Sequence, residues 1–214
     1  MRTLIYSSNG SPFARKVRIV LHELQLGNDA DIRPGIRPVE ELRPLNPSLT
    51  LPVLKDGDEI LFGSDLIIDF LFSRYAGRPS SDTIPLAATM TRPDRHLQDL
   101  KVLSVIASFA DTLVNVRHYR SEGMTGAKSH YMSRQEARLE SCLDWLEDQA
   151  TGEGFWPGVF SIMDIALICP LDYGENRGLL HWRARPRLAA LYDFWRARPS
   201  VAATAEAPMA QPAV

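Results

Sequence analysis

The sequence predicts two folded parts: an α/β part of four short strands with helices, then an all-helical part. Three observations predict it. Before residue 77 the local signals run strand, helix, strand, turn, strand, strand, helix. Residues 77–85, GRPSSDTIP, then break the pattern with Gly, Pro and Ser. After them the apolar residues recur only at helical spacing. We therefore expect a first domain at 1–78, a linker at 79–88, and a second domain with an irregular tail at 89–214.

Thr3 to Tyr6 is a short β-prone run. Ser11 can cap a helix, and Pro12 suits its first turn. Phe13, Val17, Val20, Leu21 and Leu24 then repeat at helical spacing, with Gly27 placed to end the helix. Arg15, Lys16 and Arg18 are expected on its solvated face. Asp31 to Ile36 reads as a strand that Pro34 confines to a sheet edge. Glu40, Glu41 and Leu42 form one helical turn. Two apolar runs flank Asp56 and Gly57, a hairpin signal. Ser64 opens a helix whose apolar face is Leu66, Phe70 and Tyr75 or Ile67 and Leu71, and Gly77 closes it.

In the second part a long helix is expected from near Asp94 to Tyr119. Its inner stripe would be Leu97, Leu100, Leu103, Ile106, Phe109, Ala110 and Leu113. Ser133 and Glu136 read as a capping box for the next helix, and Ser161 and Asp164 as another. Pro170 is expected to kink or end that later helix. Pro186 starts a further one. From Ala202 the chain is rich in Ala and Pro and is expected to lack regular structure.

Composition excludes several classes. With 214 residues, 23% charged and 45% hydrophobic, this is an ordinary globular chain. A net charge of −2 argues against a general nucleic-acid binder. No apolar run is long enough for a membrane span, and the apolar part of MRTLIYSSNG is too short for a signal peptide. Cys142 and Cys169 sit in apolar helical patterns and read as buried free thiols, with no metal spacing and no disulfide framework. A cytoplasmic location follows.

Three features of the first part matter together: Ser11-Pro12 at a helix start, Leu51-Pro52 before a strand, and Gly63-Ser64 at the next long helix start. Each alone has a plain structural reading, as a cap or an ordinary turn. Jointly they describe an anion site. A helix N-terminus offers unpaired N–H groups and partial positive charge. Two such termini facing one cleft would suit a ligand with two anionic groups.

The stretches SPFARKVRI, LNPSLTLPVLKDGDEILFGSDLIIDFL and FSIMDIALICPL resemble the soluble glutathione transferase superfamily, nearest to bacterial members with Ser-Pro-Phe at the first helix. The resemblance implies a thioredoxin-like first domain with a four-stranded mixed sheet, an all-α second domain, and glutathione as co-substrate without a metal. It implies that Ser11 holds the glutathione sulfur. Pro52 would be a cis-proline, and Leu51 would pair with the cysteinyl unit. Ser64 would bind the γ-glutamyl carboxylate, and Ser161 with Asp164 would cap a core helix. Phe13, Gly63 and Asp65 fall within the same subsites. The implied reaction is attack of the thiolate on a small, hydrophobic electrophile. Candidates for that second substrate are Phe13, Ser108, Thr112, Arg117 and Tyr119. The resemblance also implies a homodimer built on the helices at 64–76 and 94–115, with no nucleic-acid or membrane partner.

The chain departs from the pattern in two places. Gly63 stands where an acid is common, and the acid follows as Asp65; we expect Asp99 of a partner subunit to reach the γ-glutamyl ammonium instead. Ser48, Leu49 and Thr50 supply no cation before Pro52. Three alternatives stay open: Tyr6 as the hydroxyl donor in place of Ser11, a non-catalytic binding or assembly module on the same fold, and a glutathione-dependent dehalogenase or isomerase. Dithiol exchange is excluded, because neither Ser11 nor Ala14 is a cysteine.

Overall fold

The computed structural model describes residues 2–6, 10–27, 30–34, 39–75 and 89–206. These residues fall into two compact units, one of those up to Met90 together with 196–206 and one of Thr91–Trp195. The expected linker at 79–88 lies outside the described residues, as does Gly77.

The first unit is built on a four-stranded sheet of order β2-β1-β3-β4. Strand β1 (Arg2–Tyr6) is central. It pairs in parallel with β2 (Ala30–Pro34) and antiparallel with β3 (Val53–Asp56). β3 turns through Gly57 and Asp58 into β4 (Glu59–Phe62). Pro34 ends an edge strand, where a missing N–H costs least. Three helices complete the unit's first segment: α1 (Pro12–Glu23), the single turn α2 (Val39–Leu42) and α3 (Ser64–Tyr75). Asp56 ties three of these elements together. It takes the Tyr75 hydroxyl at 2.6 Å and the Arg2 guanidinium at 3.3 Å, and Arg2 also stacks on the Tyr75 ring.

α1 ends four residues before Gly27. Gln25 takes the left-handed position at φ 55°; its N–H bonds the carbonyl of His22, and Leu26 N–H bonds that of Leu21 at 2.8 Å. This is a Schellman stop with an apolar lock between Leu21 and Leu26, both buried. Within α1 the expected solvated face is overturned: Arg15, Lys16 and Arg18 are all buried. Lys16 reaches Asp65 at 2.5 Å, and Arg15 donates to the carbonyl of Val201 at 3.3 Å. On α3 the buried face is Ile67, Ile68, Leu71 and Phe72, whereas Leu66 is exposed.

The second unit is helical: α4 (His96–Ser121), α5 (His130–Gln149), α6 (Ile162–Asn176) and α7 (Pro186–Trp195). α4 follows a 3-10 turn at Pro93–Arg95 and buries Asp99, Val102, Ile106, Phe109, Ala110, Thr112, Leu113 and Val116. Leu97 and Leu100 are exposed, so the expected stripe was out of phase in its first half. α5 is capped by Ser129, which accepts from Met132 N–H, and Ser133 lies inside the helix. α6 runs through Pro170 without ending. Every residue from Ile162 to Gly174 is buried, and that packing outweighs the one carbonyl the proline leaves unserved. The Glu147 carboxylate caps α7 by accepting from the N–H groups of Arg187 and Leu188, both at 2.9 Å. Cys169 is buried and Cys142 half-buried; burial pushes the Cys142 thiol up, so neither is a ready nucleophile.

After Trp195 the chain joins the first unit as α8 (Pro199–Ala203), which takes in the first two residues of the tail expected from Ala202; 204–206 carry no helix or strand, and the rest of that tail lies outside the described residues. Glu23, the last residue of α1, is buried. It accepts from Arg198 Nε and Nη2, each at 2.7 Å, and from the Ser200 hydroxyl.

Candidate glutathione site

The sheet register brings the three sequence features to one end of the sheet. Ile5 near the end of β1 lies opposite Val53 at the start of β3, and Val53 lies opposite Phe62 at the end of β4. The chain leaving β1 therefore reaches Ser11, the chain entering β3 arrives through Leu51 and Pro52, and the chain leaving β4 reaches Ser64.

Ser11 is the N-cap of α1, and its Oγ accepts from Ala14 N–H at 3.3 Å. A hydroxyl that accepts there keeps its own proton to donate. Phe13 is half-buried in the first turn. The Leu51–Pro52 peptide is cis. Gly63 has φ 80°, a conformation that glycine adopts without the cost a Cβ would bring. Its carbonyl accepts from Ile67 N–H at 3.0 Å, which makes Gly63 the cap and buried Ser64 the first residue of α3. Asp65 is mostly exposed but pairs with Lys16, a bond that couples the first turns of α1 and α3. Tyr6 is the last residue of β1, paired with Pro34.

The structure gives Asp99 a different task from the one expected. It is buried and accepts from Arg92 three times, from the backbone N–H at 2.8 Å, Nε at 3.1 Å and Nη2 at 2.8 Å. Arg92 lies over the Trp156 ring at 5.0 Å. Burial alone would raise the Asp99 carboxyl, but the Arg92 hydrogen bonds outweigh it and hold the group below the usual carboxylate range. Within its own unit this carboxylate anchors the start of α4 to Arg92.

On α4, Ser108, Thr112 and Tyr119 share one stripe by the helical period, while Arg117 lies about half a turn around. Ser108 is exposed, Thr112 is buried, and the Tyr119 ring meets Tyr131 edge-on at 6.2 Å. Arg117 sits by His118 at 3.4 Å. Three of these four thus share one long stripe of α4, with Thr112 buried within it, and Arg117 stands on the other side of the helix.

Two groups escaped the sequence reading. Asn46 is fully buried and spends its amide on the loop before Pro52; an Asn-Pro pair is a turn signal that points to it. Glu23 with Arg198 had no local signal, because the partners are remote in sequence.

The sheet order, the cis-proline and the helix starts define a thioredoxin-like domain followed by a helical domain. Residues 5–79 match the family described as glutathione S-transferase, N-terminal domain, and residues 129–194 match glutathione S-transferase, C-terminal domain. The chain belongs to the soluble glutathione transferase superfamily. Among solved structures it resembles a glutathione transferase family member from Pseudomonas fluorescens Pf-5 with bound glutathione (27% identity, TM-score 0.78, covering 96% of this chain and 98% of that one). It also resembles a Methylobacterium radiotolerans glutathione S-transferase in complex with glutathione sulfonate (28% identity, TM-score 0.76, 100% and 97%). Among curated proteins it is 35% identical over 88 residues to a stringent starvation protein A homolog of Coxiella burnetii (41% of this chain, 42% of that protein). It is 32% identical over 80 residues to glutathione S-transferase 1 of Manduca sexta (36% and 37%). The chain spans about two fifths of the length of the curated relatives it matches. Among the described residues no helix is long and apolar enough to cross a membrane.

Proposed function

We propose that this protein is a glutathione transferase that ionises glutathione at Ser11 and presents its sulfur to a small electrophile. The observation that carries this reading is the convergence of Ser11, Leu51-Pro52 and Ser64 at one end of the sheet. The γ-glutamyl carboxylate would bind the Ser64 hydroxyl and the N-terminus of α3, and the cysteinyl backbone would pair with Leu51. The Ser11 hydroxyl would donate to the sulfur at the start of α1. A free thiol has a pKa of about 8.5; lowering it by about two units needs ~2.7 kcal/mol, within reach of one hydrogen bond to an anion plus the helix dipole. The thiol proton passes to solvent. The thiolate electron pair forms a C–S bond with the electrophilic carbon, and the leaving group departs with its bonding electrons. Ser108 and Tyr119, the exposed residues of that stripe on α4, are our candidate contacts for the electrophile.

Two variants test this together. Ser64→Ala should weaken glutathione about 10- to 100-fold by calorimetry, the loss of one hydrogen bond to a charged group. Ser11→Ala should nearly keep affinity but raise the bound-thiol pKa, read from thiolate absorbance across pH, and slow conjugation at neutral pH. If Tyr6→Phe raises that pKa and Ser11→Ala does not, the hydroxyl is Tyr6. If neither variant moves it, the protein is a binding module, a reading that Gly63 and the neutral residues 48–50 also favour.

We further propose a homodimer and a cytoplasmic location. Leu66 on α3 and Leu97 and Leu100 on α4 are 52%, 67% and 42% exposed, more apolar surface than either helix needs to leave in water. Two free thiols suit a reducing compartment. Light scattering at micromolar concentration should give twice the chain mass, and a monomer mass would overturn the dimer.

A further inference from the structure

We infer that Arg15 is a positioning residue for the thiol chemistry: its guanidinium anchors the first turn of α1 to the backbone of α8, and that anchor holds the Ser11 hydroxyl where a bound sulfur needs it. The inference rests on the glutathione reading above and goes beyond it by giving the segment 196–206 a part in the reaction.

Ser11 is held by the two residues that close the first turn of α1. Ala14 N–H donates to its Oγ at 3.3 Å, and Arg15 N–H donates to its carbonyl at 2.9 Å. The side chain of the same Arg15, 3% exposed, reaches the returning end of the chain, where Nη2 donates to the Val201 carbonyl at 3.3 Å. A buried guanidinium keeps its place only while its donors are met. The residue that closes the turn on Ser11 is thus fixed by a contact remote in sequence.

The Val201 carbonyl is a firm anchor. Thr204 Oγ1 donates to it at 3.2 Å and to the Ser200 carbonyl at 2.8 Å, which locks α8 from within. Arg198 and Ser200 lock it from without, because both donate to Glu23. Glu23 follows Arg15 by eight residues, about 12 Å along α1. One segment therefore grips α1 near both ends, and a helix gripped at both ends cannot rock about one of them. Losing the Arg15 grip frees the end that carries Ser11. Hydrogen bonds weaken steeply outside a narrow range of distance and angle, so a displacement of about 1 Å is enough to lose the contact to the sulfur.

The full chain tests this through the pKa of the bound thiol, followed by thiolate absorbance across pH at saturating glutathione. Arg15→Lys keeps the positive charge but falls short of the Val201 carbonyl. It should raise that pKa by about one unit, as expected for one hydrogen bond to a charged group, and change glutathione affinity by less than about threefold. In a Ser11→Ala background the same substitution should move the pKa no further, because its effect passes through Ser11. Arg15→Met should reproduce both results, and Arg15→Lys decides alone where Arg15→Met does not fold. A charge acting directly on the sulfur would leave Arg15→Lys at the wild-type pKa. A merely structural Arg15 would lower the melting temperature and leave the pKa in place. An unmoved pKa in Arg15→Lys, or a rise that persists undiminished without Ser11, overturns the inference while the transferase reading stands. A wild type that binds no glutathione overturns both.

Discussion

Arg198→Ala should cost the protein about 3–5 kcal/mol of unfolding free energy, measured by urea denaturation at neutral pH. The reason is what the substitution leaves behind. Glu23 is 4% exposed and accepts from Nε and Nη2 of Arg198, each at 2.7 Å. Without them the carboxylate keeps only the Ser200 hydroxyl. It also sits at the C-terminal end of α1, where the helix dipole disfavours an anion. Total stabilities run to about 5–15 kcal/mol, so this loss is a large share. The double variant Glu23→Leu with Arg198→Met should recover most of it, since a packed apolar pair replaces a buried ion pair at little net cost. If α8 undocks instead, residues 196–206 become protease-sensitive while the rest of the fold persists. A loss below about 1 kcal/mol with no such sensitivity would mean that the pair is solvated in solution.

Asp164→Ala should cost about 3 kcal/mol at pH 5, and less at pH 7.5. Asp164 Oδ2 accepts from Ser161 N–H at 2.8 Å and from the Ser161 hydroxyl, and Oδ1 accepts from Phe155 N–H at 3.0 Å. Alanine strands two buried backbone donors at about 1–3 kcal/mol each and removes half of the capping box of α6. The pH dependence follows from the carboxyl itself. Burial pushes its pKa up to about 6, against the pull of the Ser161 and Phe155 hydrogen bonds. A folded pKa above the unfolded value means that the native state binds the proton more tightly. Wild-type stability from this group is therefore fully present below about pH 4 and declines as pH rises through about 6. The alanine variant has no such group, so the gap between the two should narrow by about 1–3 kcal/mol over that window. A gap that widens with pH would show that the carboxylate gains more from its donors than it loses to burial.

These residues also mark the division between what was legible in the chain and what was not. Local chemistry wrote the element boundaries. Ser11 with Pro12, Asp56 with Gly57, and Ser161 with Asp164 each satisfy backbone groups within a few residues, and each stands in the structure where the sequence puts it. The candidate site residues are legible for the same reason: a helix start or an X-Pro is a short-range feature. Where local signals competed, reading failed. Leu97, Leu100, Leu103 and Ile106 repeat every third residue, and that spacing drifts around a helix of 3.6 residues per turn, so the first two ended in water. Ser133 lost its role to Ser129, and Gly27 lost its to Gln25, because capping depends on where the flanking turn packs.

The sequence by itself determined the strands, the helix starts and the chemistry placed at them. Only the tertiary structure decided which charges lie inside. Lys16 is buried because Asp65 meets it, Arg15 because the Val201 carbonyl does, and Glu23 because Arg198 returns to it from the far end of the chain. Asp99 is inside because Arg92 and the buried face of α4 claim it. A charge enters a protein interior only with a partner, and partners remote in sequence leave no trace in a local pattern.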